Sequence, residues 1–133
     1  MSNKISIKLS ASDLHSIYYS IVNTEAANKS LPFKLTWKFG TIKDEIKTKA
    51  ERYEKQRFEI YSKHGEVDSK DPNKIKLEAE KLKEVQAEID DLGTIEEAIE
   101  IVLIPLSMFD AANVQLPQGA FEIFKKYIID LES

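Results

Sequence analysis

Leu35 to Leu92, LTWKFGTIKDEIKTKAERYEKQRFEIYSKHGEVDSKDPNKIKLEAEKLKEVQAEIDDL, holds two heptad-like segments joined by a polar loop. In the first segment Leu35, Phe39, Ile42, Ile46, Tyr53 and Ile60 fall at alternating spacings of four and three, with Lys49 and Gln56 as polar interruptions. In the second, Ile75, Leu82 and Ile89 share one seam position, Val85 and Leu92 the other, and Glu78 interrupts. The loop from Ser62 to Asn73 carries Gly65 as a helix C-cap, and Asp71-Pro72 as an N-cap followed by proline in the first turn. This pattern predicts an antiparallel helical hairpin. The first helix, from about Pro32 to Lys63, would be roughly 45 Å long, and the second, from Pro72 to Leu92, about 30 Å. In this register Leu31 to Thr41 has no hairpin neighbour. That segment holds Leu31, Phe33, Leu35, Trp37 and Phe39, the densest aromatic patch in the chain, and it is expected to insert into the rest of the domain. Gly40 inside the helix costs about 1 kcal/mol relative to alanine, which leaves a kink or a helix start after Gly40 as alternatives.

Outward from the hairpin, Ile5, Ile7 and Leu9 alternate with Lys4, Ser6 and Lys8, the period of a half-buried strand. Ser10 with Asp13 resembles a capping box, and Leu14, Ile17, Tyr18 and Ile21 continue as a short helix from about Ala11 to Asn23. After Gly93, Ile99, Ile101 and Leu103 read as a second strand ended by Pro105, and it is expected to pair with the first because both need backbone partners. Asp110 to Asn113 reads as a turn and Val114 to Leu116 as a third short strand. Pro117 opens a last helix with Phe121, Phe124, Ile128 and Leu131 as its stripe. The expected fold is α+β: a small two- or three-stranded sheet with short covering helices and a long antiparallel helical hairpin. Residues 1–133 would form a single domain, with 31–92 the hairpin arm and 1–30 and 93–133 the base.

Composition narrows the function classes. A net charge of −4 with both signs interspersed supplies neither a basic field for nucleic acid nor an acidic tail. The absence of cysteine removes disulfides, thiolate chemistry and cysteine metal sites. The polar and apolar alternation of Met1 to Ser12 does not support a signal peptide, and the apolar run Ile101 to Leu106 is too short to cross a bilayer. A soluble protein of the host-cell cytoplasm or of a virion is the expectation, without membrane or nucleic-acid partners.

No motif points to catalysis, a cofactor or a metal. His15 and His64 lie far apart and outside metal-ligand spacing, and each reads as an ordinary helix or loop residue. The acids of Glu66 to Asp71 lack the ligand spacing of an EF-hand. Asp90 and Asp91, consecutive on a helix, point about 100° apart and cannot form a dyad. The lysines and arginines of the first helix alternate with glutamates, so ion pairs such as Glu45 with Lys49 and Glu51 with Lys55 account for them better than RNA. The expected function is non-enzymatic. On the heptad register Trp37 and Phe58 fall at f positions, opposite the seam. The domain base offers Trp37 a burial place, whereas Phe58 lies near the arm's tip with Leu77 and Tyr61. Those three either pack over the hairpin flank or form an exposed apolar patch for a protein partner or a second copy of the chain.

The layout resembles a group of small phage-encoded proteins of uncharacterised function. The resemblance rests on a strand and short helix, a charged helix ending near Tyr61-Ser62-Lys63, and an acidic loop. A second helix follows, then a strand running into Ile104-Pro105-Leu106-Ser107 and a closing helix after Leu116-Pro117. It implies a non-enzymatic interaction protein, a virion component or assembly factor; the alternative is an inhibitor of a host defence or transcription protein. It supplies no functional residues.

Overall fold

The structure is a computed structural model that describes residues 4–67, 70 and 75–131. In chain order it comprises β1 (Lys4–Ser10), α1 (Ala11–Ala27), α2 (Phe33–His64), β2 (Glu66–Val67), β3 (Ile75–Lys76), α3 (Ala79–Gly93), β4 (Glu96–Val102), β5 (Ile104–Pro105), α4 (Leu106–Ala112), α5 (Ala120–Tyr127) and β6 (Ile129–Asp130). The class is α+β, as the sequence predicts.

The alternating segments pair with each other. β1 and β4 form an antiparallel ladder in which Ile5 faces Ile101 and Ile7 faces Ile99, so one face of the sheet is apolar. Ser10 closes the strand and caps α1, its Oγ accepting from the Asp13 N–H at 3.1 Å. The helix continues past Asn23 because buried Thr24 satisfies its hydroxyl on the Ser20 carbonyl at 2.7 Å. Asn28 then ends it, donating to the carbonyls of Thr24 and Gln115 and accepting from the Gln115 N–H. That exchange ties the α1–α2 connection to the chain after α4.

The core forms where the sheet's apolar face, α1 and the first half of α2 meet α4 and α5. Leu14, Ile17 and Ile21 from α1, Leu35, Phe39, Ile42 and Ile46 from α2, and Ile99 and Ile101 from β4 belong to one buried cluster. Phe39, Phe109 and Phe124 close it as a ring of three aromatics with centroids 5.7 to 5.9 Å apart. The sequence-level hairpin is therefore only half of the truth about α2. Its principal neighbour is α1, antiparallel to it, with Glu25 paired to Lys43 and His15 to Glu54. Only its later half runs beside α3.

Several expectations are corrected. α2 runs unbroken through Gly40 and so does not start after it. α3 begins at Ala79, with Glu78 at its N-cap, so Glu78 is not a seam residue, and Asp71-Pro72 lies outside the described residues. Ile75 is in a strand, antiparallel to β2, with Glu66 opposite Lys76. Gly65 explains the early closure: a Cβ there would lie 2.6 Å from Ile75 Cγ2 and 2.6 Å from the Lys76 carbonyl oxygen. Its φ of −121° is open to any residue, so close approach and not backbone conformation demands glycine. Leu82 is 51% exposed instead of lying in the seam, because α3 buries the face that carries Val85, Ile89 and Gly93.

At the C-terminal end, Asp110 to Ala112 belong to α4, and Asn113 caps it in the left-handed region at φ 51°. Val114 to Leu116 is not a strand; the extra pairing is instead β5 with β6, parallel. The last helix starts at Ala120, after Gly119 at φ 83°, and not at Pro117. Phe124 and Ile128 are buried as expected, whereas Phe121 and Leu131 face solvent.

Candidate functional site

Side chains that face the core from α2 fix what its opposite side must present. Leu35, Phe39, Ile42 and Ile46 are all buried, which turns positions 33, 37, 40, 41 and 44 toward solvent. The expectation that the whole aromatic start inserts into the domain thus holds for Leu35 and Phe39 and fails for two residues. Phe33 is 94% exposed and Trp37 78%. They lie one turn apart on one helix face and form an aromatic ridge at the start of α2.

Local chemistry builds the ridge. Pro32 (φ −57°, ψ 143°) precedes the helix with its carbonyl accepting from the Thr36 N–H at 3.0 Å. No side chain caps this end, and the first turn holds Lys34 and no acid, which opposes the helix dipole. Thr41 donates its hydroxyl to the Trp37 carbonyl at 3.0 Å. Beside the ridge a shallow groove of about 360 Å³ is lined by Phe33, Thr36, Trp37, Gly40, Thr41 and Asp44. All are α2 residues.

Gly40 is the floor of that groove. A Cβ added there meets nothing within 4 Å, and its backbone is ordinary helix. Nothing within the chain requires glycine at this position, although it costs about 1 kcal/mol in a helix interior. Lys34, Lys38 and Asp44, which border the ridge, take part in no ion pair among the described residues.

Elsewhere the polar groups hold elements together. His15 contacts the rings of Tyr19 and Tyr53 at 4.6 and 5.2 Å and pairs with Glu54, which also accepts from Arg57 at 3.3 Å. Burial, and then the charge of Glu54, push the Tyr19 phenol up from its ordinary value. His64 is not a solvated loop residue: as the last residue of α2 it is half-buried and lies 2.7 Å from Glu88 and 3.5 Å from Glu84. The hydrogen bond from His64, then that from Lys63, holds the Glu88 carboxyl below its ordinary value. The expected Glu45–Lys49 and Glu51–Lys55 pairs are replaced. Lys49 reaches Glu97 on β4, Glu51 pairs with Lys47, and Glu45 accepts the Glu100 N–H at 3.3 Å.

The three residues predicted from sequence as a partner patch lie at the far end of α2. Phe58 is 42% exposed, Tyr61 is half-buried, and Leu77 packs over Gly65, 3.0 Å from where its Cβ would be. Leu77 lines a groove with Lys63, His64 and Lys81, and Phe58 is not part of its wall. Sequence reasoning missed Phe33. The signal was present: Phe33 and Trp37 are each two residues out of phase with Leu35 and Phe39. No helix among the described residues is long and apolar enough to cross a membrane. No family model, curated protein or solved structure matches the chain.

Proposed function

We propose that this chain is a non-enzymatic interaction protein whose α2 docks a protein partner through the Phe33–Trp37 ridge. The observation that carries the reading is the exposure of two large aromatics on the first half of a helix whose opposite face is buried there. Exposed apolar surface of this kind marks contact sites, and tryptophan is among the residues that dominate binding energy when covered. The resemblance in layout to phage-encoded proteins makes a virion component or assembly factor the working role. Phe58, exposed near the other end of α2, is a second and smaller contact.

Site-specific photo-crosslinking in the producing cell tests the reading. A photoreactive residue at position 37 should give a covalent adduct with a protein of discrete mass, and one at Lys83, on the exposed face of α3, should give none. Adducts equal in kind and yield at both positions, or none at 37, contradict it. Mass spectrometry of purified phage particles then separates the roles: a stoichiometric component supports the virion reading, and absence with early expression supports a host-factor inhibitor.

A further inference from the structure

We infer that the partner on the ridge is a second copy of the same chain, its α2 antiparallel to the first across a twofold axis near Lys38 and Phe39. This rests on the docking reading above and deepens it. Shape is the first argument. In an isologous pair each patch must fit itself, and this one offers a projecting indole at position 37 beside an empty groove floored by Gly40. An antiparallel crossing that brings residue 37 of one copy opposite residue 40 of the other seats each Trp37 over the partner's Gly40. The missing Cβ then permits the close backbone approach that glycine allows, and it gives Gly40 the purpose that the single chain does not.

Charge is the second, independent argument. Lys34 precedes the crossing point and Asp44 follows it. Neither has an ion pair within the described chain. In that register each copy's Asp44 lies across from the partner's Phe33, within reach of the adjoining Lys34, giving two reciprocal contacts, while Lys43 is already paired with Glu25 of its own chain. The same register also sets an anion near the uncapped N-terminal turn, where the helix dipole favours one. A parallel pairing would set like charges together and leave each indole against the partner's indole. Area is the third. Four aromatics burying at most about 150–250 Å² each, with the flanking threonines and lysines, approach the lower end of what a specific interface requires, about 1,200 Å².

Sedimentation equilibrium of the full chain over a range from low to high micromolar concentration tests this. The wild type should pass from a 15.2 kDa species to one of twice that mass. Trp37→Glu and Gly40→Leu should each raise the dissociation constant by at least about tenfold, a hot-spot effect, while the monomer keeps its circular dichroism and melts no lower than the wild type. Gly40→Leu is informative because it adds a helix-favouring side chain in open space and harms only the docked state. Lys34→Glu and Asp44→Lys should each weaken self-association alone, and an equimolar mixture of the two variants should form a heterodimer at least as tight as the wild-type dimer. A wild type that stays monomeric throughout, or a dimer indifferent to Trp37→Glu, overturns the inference. So does a mixture with no preference for the heterodimer. If the wild type is monomeric and position 37 still crosslinks to a different protein, self-association falls and the docking reading stands.

Discussion

The two ends of α2 solve the same problem differently. From Phe33 to Ile46 the inner face is sealed against α1, the sheet and the Phe109–Phe124 pair, while the outer face leaves two aromatics in water. From Tyr53 to His64 the inner contacts are fewer, and the helix is held to its neighbours by charge: His15 on Glu54, Lys63 and His64 on Glu88. Surface ion pairs of that kind are worth little individually, so the stability of α2 is concentrated where its exposed surface is most apolar. The ridge is therefore not a symptom of loose packing. It sits on the best-anchored part of the helix, where a docking surface loses least entropy on binding.

Substitutions can break that contrast at known points. The largest effect belongs to Phe39→Ala, which removes the centre of the aromatic ring and should cost about 3–5 kcal/mol in urea unfolding. A value as small as that of a surface change would deny that the core lies at this end. Next is Gly65→Ala, whose Cβ would overlap Ile75 and the Lys76 carbonyl. It should cost about 1–3 kcal/mol and speed amide exchange in β2 and β3 while leaving α1 and β4 protected. Smaller and of opposite sign, Gly40→Ala should stabilise the monomer by about 0.5–1 kcal/mol in thermal melts at high dilution. A loss there would mean that something within the chain does use the glycine.

The smallest effect concerns acid. Because Glu88 is held below its ordinary value of 4.5, its contribution is present above that pH and is lost as the pH falls through the lowered folded value. Glu88→Gln should flatten the acid limb of stability against pH without moving the signals of Phe33 and Trp37. An unchanged acid limb would remove the ion pairs as the fastening of α2 to α3.

Much of this was legible in the chain. The alternation at Ile5 to Leu9 and Ile99 to Ile101 announced two strands that must pair, and the Ser10–Asp13 spacing announced the α1 cap. The long helix was legible because Leu35, Phe39, Ile42 and Ile46 keep step. What it packs against was not, because α1 and α3 each carry an apolar stripe and heptad spacing alone does not choose between them. β3 was hidden because Ile75 fits a helical seam position as well as a strand. The exposed ridge was half visible, since Trp37 stood at an outward position but the aromatic density around it suggested burial.

Trp37 is the chain's single tryptophan, so its fluorescence reports on the ridge alone. Emission and iodide quenching, followed from high dilution upward, measure the central claim: an indole exposed in the isolated fold and covered on docking. Solvent-exposed, freely quenched emission at high dilution, shifting to the blue and becoming protected with rising concentration in the wild type but not in Gly40→Leu, is the expected result. A blue-shifted, protected emission already at the highest dilution would place Trp37 inside the fold and contradict the account.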